Sequence, residues 1–404
     1  MLSASARPYI DASVPVLREH GLTITRHFYA DMFEAHPELT NLFNMGNQAN
    51  GSQQQSLASA VFAYAANIDN AAALAPVLER IVHKHMSVGI KPSHYPIVGR
   101  HLLGAIKTVL GDAATPELLA AWDEAYWLLA GELIAAEARL SERKGVAPGE
   151  LRPLTVLDVR RESDNVMSFY LQTADGKSPG EFVPGQYVSV EAAWPESGRR
   201  QLRQYSLSDA PQQPWWRISV KREDGTDGNV AAGEVSNWLH ANVKAGDTLQ
   251  VGAPFGDFQA DVTGSRPLVL LSAGVGVTPM VSALNAVVAS QPKRHVVFAH
   301  AARNGRHHAL RHDLHHARGQ LPNLRTVVFY EAPLDTDRAG VDYDREGRMD
   351  LQGVRDLLPA DADYLLCGPQ PFMQAQWRDL LAAGVNPARL HREVFGPDAL
   401  DHLL

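Results

Sequence analysis

Apolar residues recur at helical spacing through the first third of the chain. Ile24, Phe28 and Met32 form one stripe, and Leu118, Leu119, Trp122, Tyr126, Leu129 and Leu133 form another. Thr115-Pro116-Glu117 ahead of the second stripe is a helix start: a capping hydroxyl, proline at the first helical position, an acid in the first turn. Residues 1–143 are therefore predicted to be all-helical. Residues 144–150 carry the Gly/Pro-bearing stretch of a linker. Across 151–262 the pattern changes to short β-rich runs between turn residues, such as Gln186–Val190, Trp216–Val220 and Thr248–Val251, which predicts a small antiparallel barrel. Across 263–404 strands and helices alternate: Pro267–Leu271, a helix from Met280, His295–Phe298, Val327–Tyr330 and Tyr364–Cys367. That is the pattern of a parallel α/β sheet. The fold class is thus multidomain, with an all-α, an antiparallel β and an α/β part.

Composition narrows the function classes. The 404 residues are 45% hydrophobic and 20% charged, enough apolar surface for real cores. A formal net charge of -8 argues against nucleic acid as a partner. One cysteine, Cys367, excludes a disulfide framework or a cysteine-ligated cluster within the chain. No apolar run approaches a membrane span and no leader core opens the chain, so a cytoplasmic protein is expected.

Leu74, Val77, Leu78, Ile81, His85 and Val88 fall on one side of a helix, with His83 turned to nearly the opposite face. His85 is then the inward histidine. Alone it reads first as a hydrogen-bonded core residue. Phe28, Tyr29, Phe33 and Phe43 precede it, enough aromatics to line a flat apolar cofactor, and neutral imidazole is a common axial ligand of haem iron. Tyr29, His36-Pro37-Glu38-Leu39, Phe43, Gln53 with Leu57 one turn on, His85 and Lys91–Pro96 together resemble a bacterial globin, and the flavohaemoglobins specifically. The resemblance places Tyr29 in the second helix and makes it, with Gln53, a donor to oxygen at the iron of haem b. It places Phe43 and Leu57 at the cofactor, Tyr95 and Glu137 behind His85, and gives Lys84 a tuning role. A carboxylate on the imidazole N–H fixes its tautomer and makes it more electron-donating.

Arg203-Gln204-Tyr205-Ser206 resembles the flavin signature of the ferredoxin–NADP reductase family. Arginine pairs a phosphate, the tyrosine ring stacks on the isoalloxazine, and the serine bonds near its redox nitrogen. Tyr187 resembles a further flavin contact. Gly233, Val235 and Ser236 precede a predicted helix whose N-terminus suits the pyrophosphate of FAD. Ala273-Gly274-Val275-Gly276-Val277-Thr278-Pro279 follows a buried strand and opens a helix, as nicotinamide dinucleotide sites do. It carries Ala273 where the family often has glycine. Cys367-Gly368-Pro369 follows another strand end. Glu393-Val394-Phe395-Gly396-Pro397 resembles the segment whose aromatic covers the flavin, with Glu393 tuning it.

The resemblance implies a wire: NADH or NADPH reduces FAD, FAD reduces the haem, and oxygen there converts nitric oxide to nitrate. The parts also suit an oxygen-binding or sensing globin kept ferrous by its reductase, an alkyl hydroperoxide reductase, or a flavin reductase with a helical docking module. A monomer needing no protein partner is expected, and the resemblance allows a lipid in the distal pocket. His307, His308, His312, His315 and His316 are a candidate divalent-metal cluster, set against a charged, surface-like context.

Overall fold

The computed structural model describes residues 2–225 and 231–396; Pro397 lies outside them. The chain divides into two compact units, one built on residues 1–151 with 191–203, the other on 152–190 and 204–395.

The helical part contains α1 (Arg7–Ala35), α2 (Met45–Ala49), α3 (Ser52–Ala66), α4 (Ala71–Val88), α5 (Tyr95–Leu110) and α6 (Pro116–Lys144). Thr115 caps α6 as expected, its side chain accepting from the Leu118 N–H at 3.2 Å. Ile10, Ile24, Phe28, Met32, Ile106 and Trp122 form the core. Two expectations are corrected. Tyr29 is not in a second helix: α1 runs unbroken past Pro15, although an interior proline loses a backbone donor and crowds the carbonyl one turn back. His83 is not turned outward: it is buried, whereas the His85 side chain keeps 29% of its exposure. A single apolar stripe misjudges α4 because its end is covered twice. Glu137 of α6 bonds His85, and Gly149 donates to the Met86 carbonyl at 2.8 Å.

The barrel strands are β1 (Leu151–Arg161), β2 (Val166–Gln172), β3 (Tyr187–Trp194), β4 (Arg199–Ser206), β5 (Trp216–Lys221) and β6 (Thr248–Gly252), with α7 (Glu234–Asn242) before β6. Their order is β4-β3-β6-β1-β2-β5. β2 pairs antiparallel with β1 and β5. An antiparallel bridge between Leu207 and Ile218 joins the two outer strands and closes the barrel, which removes the unpaired edges an open sheet would carry.

The third part contains β7 (Leu268–Ala273), α8 (Val277–Ser290), β8 (Val296–Ala302), α9 (Arg311–Gln320), β9 (Leu324–Tyr330), β10 (Arg345–Glu346), β11 (Asp363–Cys367), α10 (Gln370–Ala382) and β12 (Leu390–Glu393). All pair in parallel, in the order β10-β9-β8-β7-β11-β12. The chain leaves β7 toward β8 and later returns on its other side at β11. The crevice between β7 and β11 is therefore the topological switch point where open α/β sheets bind ligands. α8 starts three residues before Met280, since the Thr278 hydroxyl bonds the Val275 carbonyl and Pro279 suits a first turn.

Barrel and parallel sheet are tied by a buried polar network. Arg217 of β5 donates to Asp313 of α9 at 2.8 Å, and Asn285 of α8 bridges Asp313 and Asp209 at 2.7 and 3.0 Å. Burial opposes the charge on Arg217, but Asp313 and Asp209 hold its pKa above the ordinary arginine value. The candidate metal cluster is not supported. His312, His315 and His316 ride on α9, while His308 is buried against the Tyr330 hydroxyl at 3.0 Å. Among the described residues no group of three or more histidine, cysteine or acidic side chains is placed to hold a metal.

Candidate functional site

α4 presents His85 to α6. Its Nδ1 lies 2.8 Å from Oε1 of Glu137 and 3.1 Å from the Tyr95 hydroxyl, and Tyr95 itself donates to Glu137 Oε1 at 2.5 Å. Glu137 is buried, so this carboxylate oxygen exchanges water for two donors. The Tyr95 phenol is pushed far above its ordinary pKa, first by burial and then by its bond to Glu137, so it stays a donor. Tyr126 fixes the start of α5 by donating to the Tyr95 carbonyl at 2.5 Å. With Nδ1–H committed to the acid, His85 is the tautomer whose Nε2 lone pair is open. That is the donor set an axial haem ligand needs.

Tyr29 is buried in α1 amid an aromatic wall. Its ring lies 4.7 Å from Phe28, 5.7 Å from Phe33 and 5.8 Å from Phe43. Burial raises its pKa to about 12, opposed in part by the amides of Gln53, at the start of α3, and Gln48, on α2. Leu57, one turn after Gln53, is half-buried against the same core. Lys84 is exposed on α4 beside His85. An aromatic wall, an imidazole nitrogen open to a ligand and a buried phenol suit a haem.

In the barrel, alternation along β4 puts Arg203 and Tyr205 on one face, Gln204 and Ser206 on the other. Gln204 is held by the Ser189 hydroxyl at 3.1 Å, and Ser206 is buried. Arg203 bonds Gln201 and the Leu202 carbonyl on its own strand. Tyr187 pairs its backbone with Phe255, and its ring covers Gly256. Gly233 caps α7; Val235 and Ser236 are buried, so this turn offers a ligand its backbone N–H groups.

At the switch point Gly274 adopts φ +54°, a conformation glycine takes without strain. A side chain on Gly276 would run into the Cys367 carbonyl. Ala273 fits in place of glycine because Gly368 opposite has no side chain: a Cβ there would meet the Ala273 methyl at 3.1 Å. Val275 is half-buried, while Val277 and Thr278 are buried, so this turn too works through its backbone. The Cys367 thiol is buried in the core and burial raises its pKa. What Cys367-Gly368-Pro369 brings to the crevice is therefore backbone. Glu393 ends β12, Val394 is half-buried, Phe395 is 46% exposed and Gly396 turns at φ +114°. Sequence reading missed Gln48, Tyr126 and the Arg217 network. Gln48 lies in a polar stretch without periodicity, and no local pattern marks the partners of Tyr126 or Arg217.

Family models match three segments: globin over residues 26–133, the oxidoreductase FAD-binding domain over 153–260, and the oxidoreductase NAD-binding domain over 270–377. A flavohemoprotein of Rhizobium meliloti (strain 1021) is 49% identical over 98% of this chain and 99% of its own. A flavohemoglobin from Malassezia yamatoensis, solved with bound FAD and heme, superposes with a TM-score of 0.83 at 29% identity, covering 98% of this chain and 100% of its own. The FAD/NAD-binding domain of a nitric oxide dioxygenase from Vibrio cholerae O1 biovar El Tor is 40% identical with a TM-score of 0.55, covering 61% of this chain and 100% of its own.

Proposed function

Since the chain belongs to the flavohemoprotein family, carrying haem-, FAD- and NAD-binding parts, we propose that it is a nitric oxide dioxygenase, using NADH or NADPH to convert nitric oxide and oxygen to nitrate. The haem supplies the one-electron iron chemistry at which oxygen is activated. Everything else is work done by residues of this chain. Glu137 and Tyr95 hold His85 with Nδ1 protonated, which leaves Nε2 as the ligand atom and strengthens it as a donor. Tyr29, kept protonated by burial, and Gln53 supply hydrogen bonds on the opposite side. A bond to a charged ligand there is worth about 1.5–3 kcal/mol. Phe43 and Leu57 exclude water from that space. Arg203, Tyr205 and the α7 N-terminus hold the flavin. The α8 N-terminus and the crevice beside Cys367-Gly368 take the dinucleotide.

The observation that carries this reading is the hydrogen-bonded Glu137–His85–Tyr95 triad, with Glu137 and Tyr95 buried. An imidazole hydrogen-bonded to a carboxylate favours activation of oxygen over its storage, and the reductase modules lie in the same chain. The test is nitric oxide consumption by the purified protein, with and without oxygen and NADH. Rapid stoichiometric nitrate formation that needs both is expected. Slow reaction with oxygen retained would instead make it a carrier or sensor, and peroxide turnover without nitric oxide consumption would make it a hydroperoxide reductase.

A further inference from the structure

Ser206 ends β4, the strand read as the flavin signature, and Asp209 follows three residues on. Asp209 is where the barrel meets α8. Its backbone carbonyl accepts from the buried Ser282 hydroxyl at 2.8 Å, and its carboxylate accepts from the Asn285 amide nitrogen at 3.0 Å. The same nitrogen donates to Asp313 of α9 at 2.7 Å. Both partners are carboxylates, which when ionised only accept, so the Asn285 atom between them is its nitrogen. Arg217 of β5 completes the set. It forks onto the two Asp313 oxygens at 2.8 and 3.2 Å and bonds the Ser208 carbonyl at 3.2 Å. The chain just past the flavin strand is thus gripped from β5, α8 and α9 together.

Ser282 and Asn285 lie one turn apart on one face of α8, the helix whose N-terminus takes the dinucleotide. Ser282 is five residues past Val277, where α8 begins, or about 8 Å along the helix. Three residues of chain from Ser206 to Asp209 span at most about 11 Å. A short run through rigid elements therefore links the flavin strand to the dinucleotide turn. Hydride transfer needs such a link. The C–H bond of the dihydronicotinamide breaks with its electron pair as the flavin takes the hydride, and the reacting atoms must first lie about 3–3.5 Å apart. Apolar packing has no direction and lets two faces slide, whereas hydrogen bonds fix distance and angle. The contact is also poorly built for stability alone, since Asn285 Oδ1 is buried without a partner and apolar residues often replace such a set at no loss. We propose that Ser282 and Asn285 are positioning residues that align the nicotinamide with the flavin, acting through Asp209 and Asp313. This rests on the flavin and nicotinamide parts of the proposed function, and not on nitric oxide as substrate.

The test compares Ser282→Ala and Asn285→Leu with the parent, each as the full-length protein loaded with haem and FAD. The haem is held in its ferrous carbon monoxide form so that electrons stay on the flavin. Two readouts are taken. Stopped-flow reduction by whichever of NADH and NADPH the parent prefers gives the limiting rate and the half-saturating concentration. The long-wavelength charge-transfer absorbance of reduced flavin against oxidised nicotinamide reports their stacking at equilibrium. Asn285→Leu is expected to lower the limiting rate at least about tenfold, as a displacement of 1 Å or less does. Ser282→Ala should lower it about threefold, the scale of one hydrogen bond. Half-saturation should move by less than about twofold, because ground-state binding is left intact, and the charge-transfer absorbance should weaken in step with the rate. An unchanged limiting rate and band overturn the proposal, because the network then only holds the parts together. A raised half-saturation at an unchanged limiting rate also overturns it, because the residues then serve binding and not alignment. Should Asn285→Leu fail to fold or to hold FAD, Ser282→Ala, which removes a single oxygen, decides by the same readouts. A parent flavin that neither nucleotide reduces overturns the reductase reading and this proposal with it. Neither readout uses nitric oxide, so failure of the dioxygenase reading would leave this result standing.

Discussion

Glu137 is the residue through which the structure speaks most directly to chemistry. A carboxylate buried with an imidazole N–H and a phenol O–H on one oxygen is stable because both donors meet it. It lends partial anionic character to His85, and an electron-rich ligand favours the higher oxidation state of a bound metal. Glu137→Gln keeps the shape and one acceptor oxygen but removes the charge. The variant is expected to retain haem while its ferric–ferrous midpoint potential rises; spectroelectrochemical titration measures this. A potential equal to that of the parent would mean that the carboxylate only packs. Tyr95 marks how far a sequence can be read at this scale. Its place behind His85 followed from resemblance, but the shared carboxylate oxygen is a matter of geometry between α4, α5 and α6. Gln48 was not legible at all, because an amide in a polar stretch has no periodicity.

Elements were more legible than residues, and their failures have physical causes. The cap at Thr115, the alternation in the barrel and the fully buried β7 each write a local rule into the sequence. The unbroken α1 does not: the second helix at Tyr29 came from resemblance, and an interior Pro15 gives no sign that the helix continues through it. His83 is buried where periodicity turned it outward, because periodicity assigns one buried face, whereas α4 is covered at its end by chain remote in sequence. The turn between β7 and α8 was read for its glycines, and the structure gives the reason for one of them. Gly276 lies so close to the β11 end that a methyl group would strike the Cys367 carbonyl, and a backbone carbonyl in a parallel sheet cannot swing aside. Gly276→Ala is therefore expected to push β11 and α8 apart at the crevice. NADH-dependent reduction of a dye should fall at least about tenfold, the cost of a misplacement near 1 Å or less, while the haem spectrum stays unchanged. Retention of full dye reduction would show that the dinucleotide does not use this turn.

At the scale of the whole molecule, separate parts should fail separately. The reductase part carries His300, wholly buried, with Nδ1 at 2.9 Å from the Ser272 hydroxyl and Nε2 without a partner. Burial lowers its pKa to about 4, against about 6.5 when unfolded. Between these values the unfolded chain binds a proton that the folded one refuses, so stability is complete above pH ~6.5 and falls as the pH drops toward 4. The loss is on the order of 3 kcal/mol from this group. Denaturant titrations of the parent and of His300→Gln across that range measure it, and the variant should show the shallower pH dependence. Arg217 adds a second weakness. Arg217→Met strands Asp313 and Asp209 in a buried site and should cost about 3–5 kcal/mol, seen as earlier loss of dye reduction on heating with the haem band still present. The converse substitution tests the division of labour most sharply. His85→Ala removes the only nitrogen positioned by Glu137 and Tyr95 among the described residues, and it lies far in sequence from every residue of the barrel and the parallel sheet. The Soret band and nitric oxide consumption should both be lost, while NADH-dependent dye reduction continues at the parental rate. Circular dichroism must confirm that the variant is folded. If dye reduction then disappears along with the haem, the reductase depends on the helical part for its own activity, and the chain does not operate as a modular wire.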